Sequence, residues 1–193
     1  MRTFIAPVLL LLLAVSGASA NLIVNGGFET GDFTGWTVTG GPPDCGTTAV
    51  DGISTNVPHS GTYAACFANP TNMTFISQTI ATVPGQDYVF SMWYAQWPPN
   101  QTVNNAIEMI WGGTVHGPTQ NLPVTAWTQF QATTTATSTS TLLSIGMENA
   151  GGHFAFDDFS LDPVATPEPR LGALCGVALM LLVLRRLRRS EAA

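Results

Sequence analysis

From Asn21 to Asp162 the chain never sustains a helical hydrophobic period. Short runs rich in Val, Ile, Thr, Tyr, Phe and Trp alternate instead with Gly, Pro, Asn and Asp, the pattern of strands broken by turns. Nine strands are expected, at Leu22–Val24, Trp36–Thr39, Tyr63–Ala68, Phe75–Ile80, Tyr88–Ala95, Ala106–Trp111, Thr128–Thr134, Leu142–Glu148 and Phe154–Leu161. That many short strands must fold back to bury a common face, so the expected fold class is all-β, a two-layer sandwich. Along Tyr88–Ala95, residues Tyr88, Phe90, Met92 and Tyr94 share one side and are assigned to the core, leaving Val89, Ser91, Trp93 and Ala95 on the other. The Thr/Ser tract Thr133–Thr141 runs straight into Leu142-Leu143-Ser144-Ile145 and reads as β-branched strand and turn rather than as a linker.

Apolar segments close off both ends of the 193 residues, which leaves room for one ordinary domain, 21–162. Residues 1–20 read as a signal peptide. Arg2 precedes an apolar run from Phe4 to Val15, and Ser16-Gly17-Ala18-Ser19-Ala20 ends in a small-residue cleavage site. The run is shorter than the ~20 residues of a spanning helix, which favours cleavage after Ala20 over a retained anchor. At the other end, a Pro-rich linker at 163–170 stiffens the chain and blocks sheet pairing. Fourteen uncharged residues, Leu171–Leu184, follow it. Arg185, Arg186, Arg188 and Arg189 stand in the terminal segment 185–193. Leu, Val, Met and Ala cover every face of 171–184, so a membrane segment is expected, its arginines snorkelling on the cytoplasmic side.

All six basic residues lie outside 21–169: Arg2, Arg170 and the four terminal arginines. The β domain carries only carboxylates, among them Glu29, Asp157 and Asp158. Phosphate neutralisation needs Lys or Arg, so nucleic-acid binding is excluded for this domain. A bound cation gains weight by the same logic. Cys175 sits in the apolar tail, leaving Cys45 and Cys66 as the pair in the β domain. An oxidising compartment favours their disulfide over two free thiols.

Pro167-Glu168-Pro169, the apolar segment after it and the arginine cluster, taken in order, resemble the PEP-CTERM sorting signal of Gram-negative bacteria. That resemblance implies processing by an exosortase-type enzyme as partner. It also implies inner-membrane anchoring before processing, and then a place at the cell surface or in an extracellular, biofilm-type matrix. A second resemblance spans the β domain. Asn25-Gly26-Gly27-Phe28-Glu29, Gly35-Trp36, His59-Ser60-Gly61-Thr62-Tyr63 and Phe156-Asp157-Asp158-Phe159-Ser160-Leu161 are similar in order to galactose-binding-like jelly rolls, including carbohydrate-binding modules. It implies a structural calcium as cofactor, held by Glu29 and by Asp157 or Asp158, with main-chain carbonyls completing the shell. Successive strand residues face opposite ways, so only one of the two aspartates should reach the ion unless a bulge intervenes.

Sugar recognition needs exposed aromatic rings flanked by hydrogen-bonding side chains. Trp93, Trp97 and Trp111 are the candidate rings, with Gln96 and Asn100 nearby; Trp36 and Trp127 are read as core. No positioned acid, base or nucleophile assembles in the sequence, and an enzyme is not expected. The function expected is a non-catalytic module that binds polysaccharide. The alternative is a structural matrix component without a specific ligand, which buried candidate rings would favour. A glycoside hydrolase would need two carboxylates facing each other across a cleft.

Overall fold

The computed structural model describes residues 20–40, 49–50, 53–54, 58–68, 72–97, 105–120, 122, 126–165, 176 and 180. Residues up to Pro163 form one compact unit and Val164–Ala193 a second. In the second unit Gly176 and Met180 are helical and exposed. Among the described residues no helix is long and apolar enough to cross a membrane. The signal peptide ahead of Ala20, the Pro-Glu-Pro motif and the arginine cluster expected from the sequence lie outside the described residues.

The first unit is a sandwich of two antiparallel sheets. The strands are β1 (Thr37–Thr39), β2 (Ala49–Val50), β3 (Ile53–Ser54), β4 (Ala64–Phe67), β5 (Thr74–Ala81), β6 (Asp87–Trp97), β7 (Asn105–Trp111), β8 (Thr114–Gln120), β9 (Thr128–Thr135), β10 (Ser140–Asn149) and β11 (His153–Pro163). One sheet has the order β1-β5-β10-β7-β8, the other β2-β3-β4-β11-β6-β9. Apart from β7-β8 and β2-β3-β4, neighbours in these lists are non-consecutive in sequence, as folding a long antiparallel ribbon into a two-layer roll requires.

Alternation explains what each strand buries. Tyr88, Phe90 and Met92 of β6 point inward, with Tyr94 packed at the margin of the core. Ile107, Met109 and Trp111 of β7 and Leu143, Ile145 and Met147 of β10 oppose them from the other sheet. Phe28, Trp36, Phe90, Phe156 and Phe159 form a continuous aromatic cluster. Phe28 meets Phe159 edge-on at 5.6 Å and stacks with Trp36 at 5.9 Å, geometries that add to the gain from area burial alone.

The expected strand Leu22–Val24 is absent: Ile23 is bent and Val24 lies in a turn. Asn21 takes the place of a ladder. Its Nδ2 donates to the Phe159 carbonyl at 2.9 Å, and its Oδ1 accepts from the N–H groups of Ile23 and Leu161 at 2.9 and 3.0 Å. Positive φ at Asn25 (53°) and Phe28 (55°) then turns the chain away from strand geometry. Gly26 allows the approach to β11, because a Cβ there would collide with the Phe159 carbonyl oxygen.

Candidate functional site

The closing Asp157-Asp158 pair sits at an irregularity. The pairing of β11 with β6 shifts register between Asp157 and Ser160, and Asp158 has a φ of 50°, so a bulge turns both carboxylates toward the 59–63 turn. Asp157 is fully buried. Its Oδ2 accepts from the His59 and Ser60 N–H groups at 2.8 and 3.0 Å, and its Oδ1 from the Asp158 N–H at 2.7 Å. Burial pushes its carboxyl above the usual carboxylate range; the N–H donors pull against this, and the Asp158 charge adds to it. Asp158 Oδ2 lies 2.6 Å from His59 Nδ1, and its Oδ1 accepts from the Ser60 hydroxyl at 2.7 Å. Glu29 accepts from the Thr62 and Tyr63 N–H groups at 3.0 Å.

Asp157 and Asp158 each present an oxygen toward Gly27, whereas Glu29 presents its Cγ methylene there and its carboxylate lies against Gly61. A Cβ on Gly27 would lie 3.6 Å from Asp157 Oδ1, 3.7 Å from Asp158 Oδ1 and 3.7 Å from Glu29 Cγ. The donor chemistry is hard oxygen, as calcium requires, with no Lys or Arg in 21–169 to compete. The three do not close around one point: among the described residues no group of three or more His, Cys, Asp or Glu is placed to hold a metal ion. Main-chain carbonyls would have to supply most of a shell. His59, Ser60 and Asp158 do not form a catalytic relay either, since the Ser60 hydroxyl and the imidazole both bind the carboxylate and nucleophile activation needs the hydroxyl on the imidazole.

Two of the expected sugar-contacting residues are interior. Trp111 is 3% exposed, packs against Tyr88 at 5.7 Å, and its Nε1 donates to the Thr135 carbonyl at 3.1 Å. It shares inward parity with Ile107 and Met109, so it cannot stack on a ligand at the surface. Gln96 shares inward parity with Tyr88, Phe90 and Met92; it is buried, and its Oε1 accepts from Asn105 Nδ2 at 3.3 Å. Trp93 does face outward and is half-buried, but the His59 ring stacks on it with centroids 4.1 Å apart. Trp127, expected in the core, instead meets His59 edge-on at 5.3 Å and is half-buried. The Trp97 side chain, Asn100 and Cys45 lie outside the described residues; Cys66 is buried opposite Ala155.

An aromatic surface that the sequence reading missed lies on the outward side of the other sheet. Phe75, Gly146 and Glu108 are in register across β5, β10 and β7. A Cβ on Gly146 would lie 2.5 Å from Phe75 Cε1 and 3.1 Å from Met73 Sδ. The missing side chain thus lets the Phe75 ring lean across the sheet. Glu148 and Glu108 stand half-buried on the same side, with Ser144 between Ser77 and Ile110. Ser144 is 8% exposed and makes no side-chain hydrogen bond among the described residues. The readable signal was a glycine inside a strand otherwise rich in apolar residues.

Residues 20–148 match the carbohydrate binding domain family. The chain belongs to that family. Solved structures give the same fold. The family 61 module TmCBM61, determined with β-1,4-galactotriose, aligns with a TM-score of 0.56 at 22% identity, covering 76% of this chain and 100% of that one. The CBM22-1 xylan-binding domain of Paenibacillus barcinonensis Xyn10C aligns at 0.54 and 17% identity, covering 78% and 100%. A family 16 carbohydrate-binding module aligns at 0.53 and 21%, covering 73% and 99%. No curated protein matches the sequence.

Proposed function

We propose that this carbohydrate binding domain is a non-catalytic module that holds a polysaccharide on the outward side of the β1-β5-β10-β7-β8 sheet. The observation that carries the reading is the Phe75 ring leaning over Gly146, with Ser144, Glu108 and Glu148 beside it. An aromatic ring lying along a sheet offers a flat apolar surface to a sugar face, and hydroxyls and carboxylates around it can meet the sugar hydroxyls. The test is a glycan-array screen followed by titration calorimetry. Phe75→Ala should weaken binding about tenfold or more, and the glycan should be recovered uncut.

The delivery system belongs to the same proposal. Export with cleavage after Ala20, membrane retention by 171–184 and exosortase-type processing at Pro167-Glu168-Pro169 are supported by the order of the terminal segments alone. Mass spectrometry of the surface-recovered protein tests this, with Asn21 as the expected first residue. The same spectrum, taken before and after reduction, tests the Cys45–Cys66 disulfide. A structural calcium is supported by the motif resemblance around Glu29, Asp157 and Asp158 and by their hard oxygen chemistry in a segment without Lys or Arg.

The second reading, a matrix body with no specific ligand, is favoured by the burial of Trp111 and by the His59 ring over Trp93. A glycan screen without hits would select it.

A further inference from the structure

We infer that Met73 is a modification site of the glycan surface, where a peroxide converts the thioether to its sulfoxide and so weakens glycan binding. The inference rests on the glycan-binding reading above and adds a means of regulating that surface. Met73 immediately precedes β5, and its sulfur stands over the same point of β10 as the Phe75 ring. A Cβ on Gly146 would lie 3.1 Å from Met73 Sδ and 2.5 Å from Phe75 Cε1. The thioether therefore lies beside the ring, a favourable pairing of sulfur with an aromatic side chain, and it widens the apolar surface that the ring offers to a sugar.

Exposure singles out this methionine within the sandwich. Met92, Met109 and Met147 face the core and are 0%, 1% and 1% exposed, out of reach of a solute in the folded chain. Met73 is half-buried, so a peroxide reaches its sulfur without unfolding the domain. The other exposed methionine among the described residues, Met180, belongs to the second unit.

In the reaction a sulfur lone pair attacks one oxygen of hydrogen peroxide, the O–O bond breaks, and the other oxygen leaves as water once a proton has transferred to it. The sulfur is oxidised by one electron pair and the peroxide is reduced by the same pair. The product is polar where the thioether was apolar. A sugar face laid over the Phe75 ring then covers the sulfoxide oxygen and strips its water, which costs binding energy. A methionine sulfoxide reductase removes the oxygen and restores the apolar surface.

The experiment treats the full chain with dilute hydrogen peroxide and follows each methionine by peptide mass spectrometry. The same samples are read on a glycan array that includes β-1,4-linked galactan, xylan and glucan oligosaccharides. The expected result is that Met73 gains its oxygen well before Met92, Met109 and Met147, and that the array signal falls about fivefold or more as it does. Reductase treatment should bring the signal back. Met73→Leu, whatever its starting signal, should lose nothing further on peroxide treatment, which assigns the loss to Met73 rather than to Met180. Oxidation of the four sandwich methionines at one rate overturns the inference, as does an unchanged signal from a chain oxidised at Met73 or an equal loss in Met73→Leu; each leaves the glycan-binding reading intact. An untreated chain that binds no glycan on the array overturns both.

Discussion

The imidazole of His59 lies flat against the indole of Trp93, ring centroids 4.1 Å apart and planes 16° from parallel. His59 is also bound through its main chain to Asp157 and through Nδ1 to Asp158. The stack therefore fixes the 59–63 turn to β6 and to the β11 bulge at once, and the face of Trp93 that a sugar would use is covered by the protein's own ring. His59→Ala should lower stability by about 2–3 kcal/mol, the loss of two aromatic contacts, with Trp93 and Trp127, and one side-chain hydrogen bond to a carboxylate. Thermal melting measures this. Trp93→Ala should likewise lower the melting temperature and leave glycan affinity unchanged; a folded Trp93→Ala variant that no longer binds would return Trp93 to the ligand surface.

Asp157 predicts a pH dependence with a definite sign. Burial is the main reason its carboxyl stands above the usual carboxylate range, so the folded chain holds that proton more tightly than the unfolded chain does. The resulting contribution to stability is present at acid pH, and it is lost as pH rises through the folded-state value. Measured in chelator, the stability of the wild type relative to Asp157→Asn should fall across that rise. An increase instead would mean that its three N–H donors outweigh burial.

Gly146 predicts a separation of binding from folding. Gly146→Ala places a methyl group where the Phe75 ring now leans, so the ring must move. Glycan affinity should drop about as far as in Phe75→Ala. Stability should change by only about 1 kcal/mol, since strand glycines pack no side chain of their own. Unchanged affinity in Gly146→Ala would show that the ring position does not matter.

Calcium is tested by melting with excess ion and then with chelator. An ion that binds only the folded state must raise the melting temperature, and Glu29→Ala should abolish the rise. No shift in the wild type would remove the ion from the account and leave the carboxylates to hold the 59–63 turn through N–H donors alone.

The long strands were legible because alternation is a strong signal when one side is buried. Tyr88, Phe90 and Met92 were assigned inward from it, and the same parity applied to Ile107, Met109 and Trp111 would have placed that tryptophan in the core. β2 and β3 span two residues each, too short for any period to register. β8 contains Gly117 and Pro118, which read as turn. Leu22–Val24 has strand composition, and only the side-chain amide of Asn21 reaching β11 shows why it is not one. Of the candidate site, the three carboxylates were readable from their flanking motifs. Phe75 was not, because on β5 an apolar residue sits on each side of the sheet, Phe75 outward and Ile76 inward, and composition cannot say which is exposed.

The most direct test of the central claim is a glycan-array screen of the full chain beside its Phe75→Ala and Trp93→Ala variants. The account predicts glycan binding by the wild type and by Trp93→Ala, and its loss in a folded Phe75→Ala. Binding that survives in Phe75→Ala and disappears in Trp93→Ala would contradict it, placing the ligand on the opposite sheet.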